Sequence, residues 1–200
     1  MRLTVLGSSG SFPGPGNPSS SYLVTHADTS VLLDIGPGSF MRLLDVMEPA
    51  DLTAVFVSHV HADHCTDIFA LYGHLVRRWS EPVSKPVFVP PGVAEPMAAF
   101  MRAGPEHPFH IVCRFEEIED GFTTALDGMQ FRVALTDHPV PTLAVRVEAD
   151  GSSLTYSADT GLTGGLAELT LGTDVLFCGA GMSPPRDPDG FPFHLTAGEA

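Results

Sequence analysis

The feature that most constrains this chain is Ser58-His59-Val60-His61-Ala62-Asp63-His64, which follows directly on the apolar run Ala54 to Val57. The run reads as a buried strand, and polar side chains at the end of a buried strand must find partners. With nine histidines in 200 residues, a His-x-His-x-Asp-His pattern arises by chance in about one such chain in a thousand. Residues two apart on an extended chain point the same way, so His59 and His61 can hold one metal ion together. A turn then directs Asp63 and His64 elsewhere, toward a second ion. The alternative, four polar residues on a solvated loop, does not account for the strand ahead of them.

Leu3 to Leu6 predicts a short strand, broken by Gly7-Ser8-Ser9-Gly10. A Gly/Pro/Ser loop then runs to Asn17-Pro18, and its backbone N–H groups could meet a substrate phosphate. Further strands are predicted at Ser21 to Thr25, Val31 to Asp34, Val87 to Val89, Met129 to Leu135, Thr142 to Val147, Leu154 to Tyr156 and Asp174 to Cys178. Ile111 to Phe115 and Phe122 to Ala125 are weaker strand candidates. Helical spacing recurs from Phe40 to Met47, Asp67 to Trp79, Val93 to Ala103 and Leu166 to Leu171. Runs of strands with interspersed helices describe a layered α/β domain, and the absence of a linker predicts one domain over residues 1–200.

Charge narrows the partners. Ten Lys and Arg against 24 Asp and Glu give a formal net charge of −14, the wrong sign for neutralising phosphates, so a nucleic-acid partner is disfavoured. Cys65, Cys113 and Cys178 are odd in number and widely spaced, which fits a reducing compartment and a cytoplasmic protein. No apolar run approaches a membrane span. The expected partner is a small phosphodiester substrate, and a homodimer is left open.

Two more ligand-type residues stand just past predicted strands: His138 in Thr136-Asp137-His138-Pro139 and Asp159 in Tyr156-Ser157-Ala158-Asp159-Thr160-Gly161. Either alone would more often be a turn or capping residue. Together with Gly7-Ser8-Ser9-Gly10, Leu32-Leu33-Asp34-Ile35-Gly36, the His59 to His64 motif and His194-Leu195-Thr196, they make a chain that resembles the metallo-β-lactamase-fold hydrolases. The resemblance is to the branch containing ribonuclease Z and related phosphodiesterases. It implies a four-layer αββα sandwich and two zinc ions, with manganese or iron as substitutes. It also implies that His59, His61 and His138 hold one ion, Asp63 and His64 the other, and that Asp159 bridges them. Asp34 would orient the metal loop as a carboxylate behind the ligands. A hydroxide shared by the two ions would attack phosphorus in line, Asp63 accepting the proton. His194 would either protonate the leaving alkoxide or hydrogen-bond to backbone.

The chain departs from that branch twice. Gly179, in Leu176-Phe177-Cys178-Gly179-Ala180-Gly181, stands where relatives carry a glutamate. Thr196-Ala197-Gly198-Glu199 is a capping-box pattern that opens a helix, yet only Ala200 follows. The sandwich is therefore expected to lack its final helix and strand, and with them the last histidine of the second ion, leaving that ion labile. Cys65 beside the motif reads as a small buried apolar residue. Arg77-Arg78-Trp79 reads as a charged helix end, and His107 and His110 as solvent-facing loop residues. The function expected is hydrolysis of small or cyclic nucleotide phosphodiesters. Its alternatives are tRNA 3′ processing, disfavoured because Asp159 stands only 21 positions after His138, and a metal-binding remnant with little catalysis.

Overall fold

A computed structural model describes residues 1–77, 83–181 and 193–200. The chain divides into two compact units, Met1–Ile118 and Glu119–Ala200, each built on its own sheet.

The first unit carries six strands: β1 (Arg2–Gly7), β2 (Ser21–His26), β3 (Thr29–Leu33), β4 (Ala54–Phe56), β5 (Lys85–Val89) and β6 (Cys113–Glu117), hydrogen-bonded in that order. The first three form an antiparallel meander, and β3 through β6 pair in parallel. Parallel strands need crossovers, which α1 (Ser39–Val46), α3 (Ile68–Arg77), α4 (Ala94–Phe100) and α5 (Pro108–Val112) supply. The one-turn α2 (Ala62–Cys65) sits within the histidine motif. Parallel strands are apolar on both faces, and β4 follows the rule with every residue buried. Leu32, Val55, Val87, Leu71 and Leu75, all fully buried, belong to the resulting core.

The second unit is a five-stranded sheet in the order β11-β10-β9-β8-β7, comprising β7 (Thr123–Leu126), β8 (Met129–Leu135), β9 (Leu143–Ala149), β10 (Ser152–Tyr156) and β11 (Val175–Phe177). Helix α6 (Gly164–Thr170) packs on it through Leu166 and Leu169, against Ala134 and Ala144. Arg146 of β9 anchors the far end of that helix. Its buried guanidinium donates to the carbonyls of Leu169 (3.0 Å) and Leu171 (2.7 Å), and its Nε lies 2.6 Å from Glu148. These carbonyls have no intrahelical donor, so the arginine satisfies groups that would otherwise lose hydrogen bonds on burial.

One stretch folds otherwise than its local pattern predicts. Residues 108–112 form a helix, and the strand starts only at Cys113. His107 is the reason: its side chain accepts from the Phe109 N–H, with Pro108 at the first helical position. The turn drives Phe109 fully into the core among Phe69, Tyr72 and Phe115. His107 and His110 are accordingly half-buried cap and helix residues, not solvent-facing loop residues. Arg78 and Trp79 lie outside the described residues; Arg77 is exposed at the end of α3.

Candidate metal centre

The two units each hold part of the ligand set expected from the sequence. In the first unit the histidine motif follows the end of β4, bends at Val60 and then turns into α2, with His61 in extended conformation at the helix N-cap position. That turn separates the donors of His59 and His61 from those of Asp63 and His64. His59 is completely buried and His64 nearly so.

Hydrogen bonds fix which ring nitrogen each imidazole has to offer. Asp34, buried at the end of β3, accepts from the Ser58 N–H at 2.7 Å and from the Ser58 hydroxyl at 2.8 Å. It also lies 2.7 Å from His64 Nδ1. An ionised carboxylate only accepts, so His64 carries its proton on Nδ1 and leaves Nε2 as the donor atom. Ser58 gives its proton to Asp34, so its oxygen accepts from His59 Nδ1 at 3.0 Å. That leaves His59 Nε2 unprotonated and 3.0 Å from His61 Nδ1. Two nitrogens on one tetrahedral ion at the usual bond length lie about 3.3 Å apart, so the spacing fits a shared metal. On the other side, His64 Nε2 comes within 3.4 Å of Asp63 Oδ2, and the His59 and His64 rings lie 4.2 Å apart. Imidazole and carboxylate donors of this kind suit zinc, manganese or iron.

Asp34 thus reaches His64 directly and His59 through Ser58. The role of Ser58 is not visible in a residue list; a hydroxyl immediately before the first histidine is its only sequence signal. Asp34 also adopts φ 57°, and Ala158, immediately before Asp159, adopts φ 53°. Left-handed backbone is tolerable for an aspartate and strained for a buried alanine, and such strain tends to sit at functional positions.

In the second unit His138 and Asp159 lie on neighbouring loops after β8 and β10. The loops are tied together: the Thr136 hydroxyl donates to the Asp159 carbonyl at 3.0 Å, and the Gly161 N–H to the Asp137 carbonyl at 2.8 Å. His138 Nδ1 lies 3.4 Å from the Phe193 carbonyl, which points Nε2 away as its donor atom. His194 stands edge-on to His138 with ring centroids 5.4 Å apart, and its Nδ1 is 3.8 Å from Asp159 Oδ2. Gly179 closes this region. A Cβ there would come within 2.9 Å of the Ala158 carbonyl oxygen, and its N–H donates to Ser157 Oγ at 2.9 Å. The glycine at this position thus permits a close backbone approach beside Asp159.

Other residues near the motif are structural. Cys65 donates weakly to the Val60 and His61 carbonyls, and burial pushes its thiol up to about 12. The loop after β1 spends several N–H groups on itself: Ser8 on the Asn17 side chain, Ser9 on the Pro18 carbonyl and Gly14 on Ser9 Oγ. It does not present those three to a phosphate. Asp174, far along the chain at β11, accepts twice from Ser153, and these bonds lower its carboxyl below the usual value.

Two mixed sheets with imidazoles and carboxylates in the loops after their strands, of which His59, His64 and Asp34 are buried, define a metallo-β-lactamase-type fold, and the comparisons agree. The chain belongs to the β-lactamase superfamily, whose domain description matches residues 29–200. An uncharacterized protein of Mycobacterium leprae is 34% identical over 209 residues, covering 100% of this chain and 72% of the relative. Ribonuclease Z of Mycobacterium bovis is 31% identical over 195 residues, covering 88% of this chain and 69% of its own. Among solved structures, the metallo-β-lactamase fold protein YhfI of Bacillus subtilis superimposes with a TM-score of 0.85 at 22% identity, over 99% of this chain and 78% of that one. Among the described residues, no helix is long and apolar enough to cross a membrane.

Proposed function

We propose that this protein is a binuclear-metal phosphodiesterase acting on small or cyclic nucleotides in the cytoplasm. The observation that carries the reading is the locked histidine motif: Asp34 and Ser58 hold His59 and His64 in the tautomers whose Nε2 atoms face outward as donors. In this reading His59, His61 and His138 would hold one ion, Asp63 and His64 would hold the second, and Asp159 would serve both. The bound ions, zinc or in their place manganese or iron, supply an activated water at neutral pH and neutralise charge on the phosphate.

The chain's own groups do the rest. Asp63, about one-sixth exposed on its side chain, takes up the proton of the attacking water. His194, which Asp159 faces at 3.8 Å, delivers a proton to the departing alkoxide. Two features support a small substrate over tRNA. The interval between His138 and Asp159 is occupied by the β9–β10 hairpin, paired from Ser152–Ala149 to Tyr156–Val145, and so carries no protruding arm. The net charge of −14 also works against polyanion binding. The 31% identity to a ribonuclease Z favours a second reading, RNA 3′ processing. The free cysteines fit a reducing compartment.

The test is turnover of a 3′,5′-cyclic nucleotide and of a tRNA precursor by protein loaded with zinc or manganese, with His59→Ala as control. Hydrolysis of the cyclic nucleotide alone supports the first reading. Processing of the precursor alone replaces it with the second. No turnover of either, with metal bound, leaves a metal-binding protein and overturns both.

A further inference from the structure

The segment between β3 and α1, residues 34–38, wraps the motif from one side, and Asp34 is only its first contact. The Ile35 N–H donates to the His64 carbonyl at 2.8 Å, and the Ile35 carbonyl accepts from the Asp67 N–H at 3.0 Å. Gly36 is pressed so closely against the motif that a Cβ would overlap the Asp63 carbonyl oxygen and lie 2.8 Å from Ser19 Cβ. Its own N–H is fixed by the Ser20 carbonyl at 3.0 Å, so the segment cannot back away without breaking that bond. At the far end the Asp67 carboxylate accepts the Phe40 N–H at 2.9 Å. It thereby caps α1, whose N-cap residue Gly38 offers no side chain.

We infer that Gly36 and Asp67 are positioning residues for the Asp63/His64 half of the metal site. They set the path of Asp63 and His64 without touching an ion, and the inference rests on the metal-binding reading above. The contacts are selective. Ile35, Gly36 and Asp67 meet the backbone of Asp63 and His64 or the segment that holds them, whereas His59 is reached only at one remove, from Asp34 through Ser58. A methyl group at position 36 displaces the Asp63 carbonyl in the first turn of α2, and the carboxylate moves with it. Loss of the Asp67 carboxylate frees the start of α1 and loosens the same segment from its other end.

The experiment is a cobalt(II) titration of metal-free protein, followed by visible absorption and metal analysis, with far-ultraviolet circular dichroism to establish folding. The unaltered chain is expected to take two cobalt ions, one tighter than the other. Gly36→Ala and Asp67→Ala should each weaken the looser ion by about 10–100-fold and leave the tighter ion within about twofold. Asp67→Asn keeps an acceptor oxygen and should bind like the unaltered chain, a rescue that a general packing role would not give. If Gly36→Ala does not fold, the Asp67 pair decides alone. Unchanged binding of both ions in folded Gly36→Ala and Asp67→Ala, or equal weakening of both ions, overturns the inference while the metal reading stands. If the unaltered chain binds no cobalt, the metal reading itself falls and the inference with it.

Discussion

The two halves of the ligand set differ in what holds them. On the first unit the His64 side chain is 2% exposed and bound to Asp34, and on the second the Asp159 side chain is 19% exposed and stands 3.8 Å from His194. The first set is stapled by side-chain hydrogen bonds that exist without any ion. The second is tied through the Asp159 and Asp137 carbonyls of its loops and by His138 Nδ1 at 3.4 Å from the Phe193 carbonyl, and its ligand side chains are only half-buried. Pre-organisation of the first half lowers the ordering cost of metal binding there, and the second half bears more of that cost.

That difference can be broken by experiment. The largest effect is expected on activity: His59→Ala and His138→Ala should each lower turnover by more than about 100-fold, beyond the range for outer partners alone, with loss of metal by elemental analysis. Equal activity of either variant with the unaltered chain would remove it from the ligand set. Next, Asp34→Ala should destabilise the metal-free protein by about 3 kcal/mol or more in urea unfolding, because two Ser58 donors and the His64 N–H lose their buried acceptor. Asp159→Ala in the same metal-free protein should cost less than about 1 kcal/mol. Comparable losses would show that the halves are equally pre-formed.

A smaller effect concerns the second unit, where the sheet and the Arg146 latch supply the order. Arg146→Ala should cost about 1–3 kcal/mol through the unsatisfied carbonyls at the end of α6, with metal affinity unchanged. A change in metal binding instead would tie the latch to the site.

The smallest effect is a pH slope. Burial pushes the thiol of Cys113, in the first unit, up to about 12. The folded state therefore keeps this proton where the unfolded chain has released it. Its contribution is intact below about pH 9 and is lost as pH rises from there toward 12, at about 1.4 kcal/mol per pH unit as an upper bound. Cys113→Ala should flatten the alkaline decline of stability. An unchanged slope would show that this thiol is not the source.

Much of the fold and of the site is legible in the residues alone. The apolar run ahead of His59 locates β4, and the pair of histidines two apart points to a shared ion. The ligand types after β8 and β10 follow from their place beyond strands. Strand and helix positions agree to within a few residues wherever periodicity is strong, as at Met129 to Leu135. The exception at 108–112 arises because Phe109 gains more by reaching the core among Phe69, Tyr72 and Phe115 than the local strand pattern gains by extension.

The sequence by itself determined the donor chemistry, because residue type fixes which atoms can bind a metal or move a proton. It also determined the family, through a motif too improbable to be accidental. Only the tertiary structure decided which nitrogen each imidazole presents, since tautomers depend on partners such as Asp34 and Ser58 brought from separate strands. It alone showed that position 36 must be glycine, because the carbonyl that excludes a side chain there belongs to Asp63, distant in sequence and adjacent only once β3 and β4 pair. Donor identity is a local property of the chain, whereas orientation is a property of contacts between segments that folding brings together.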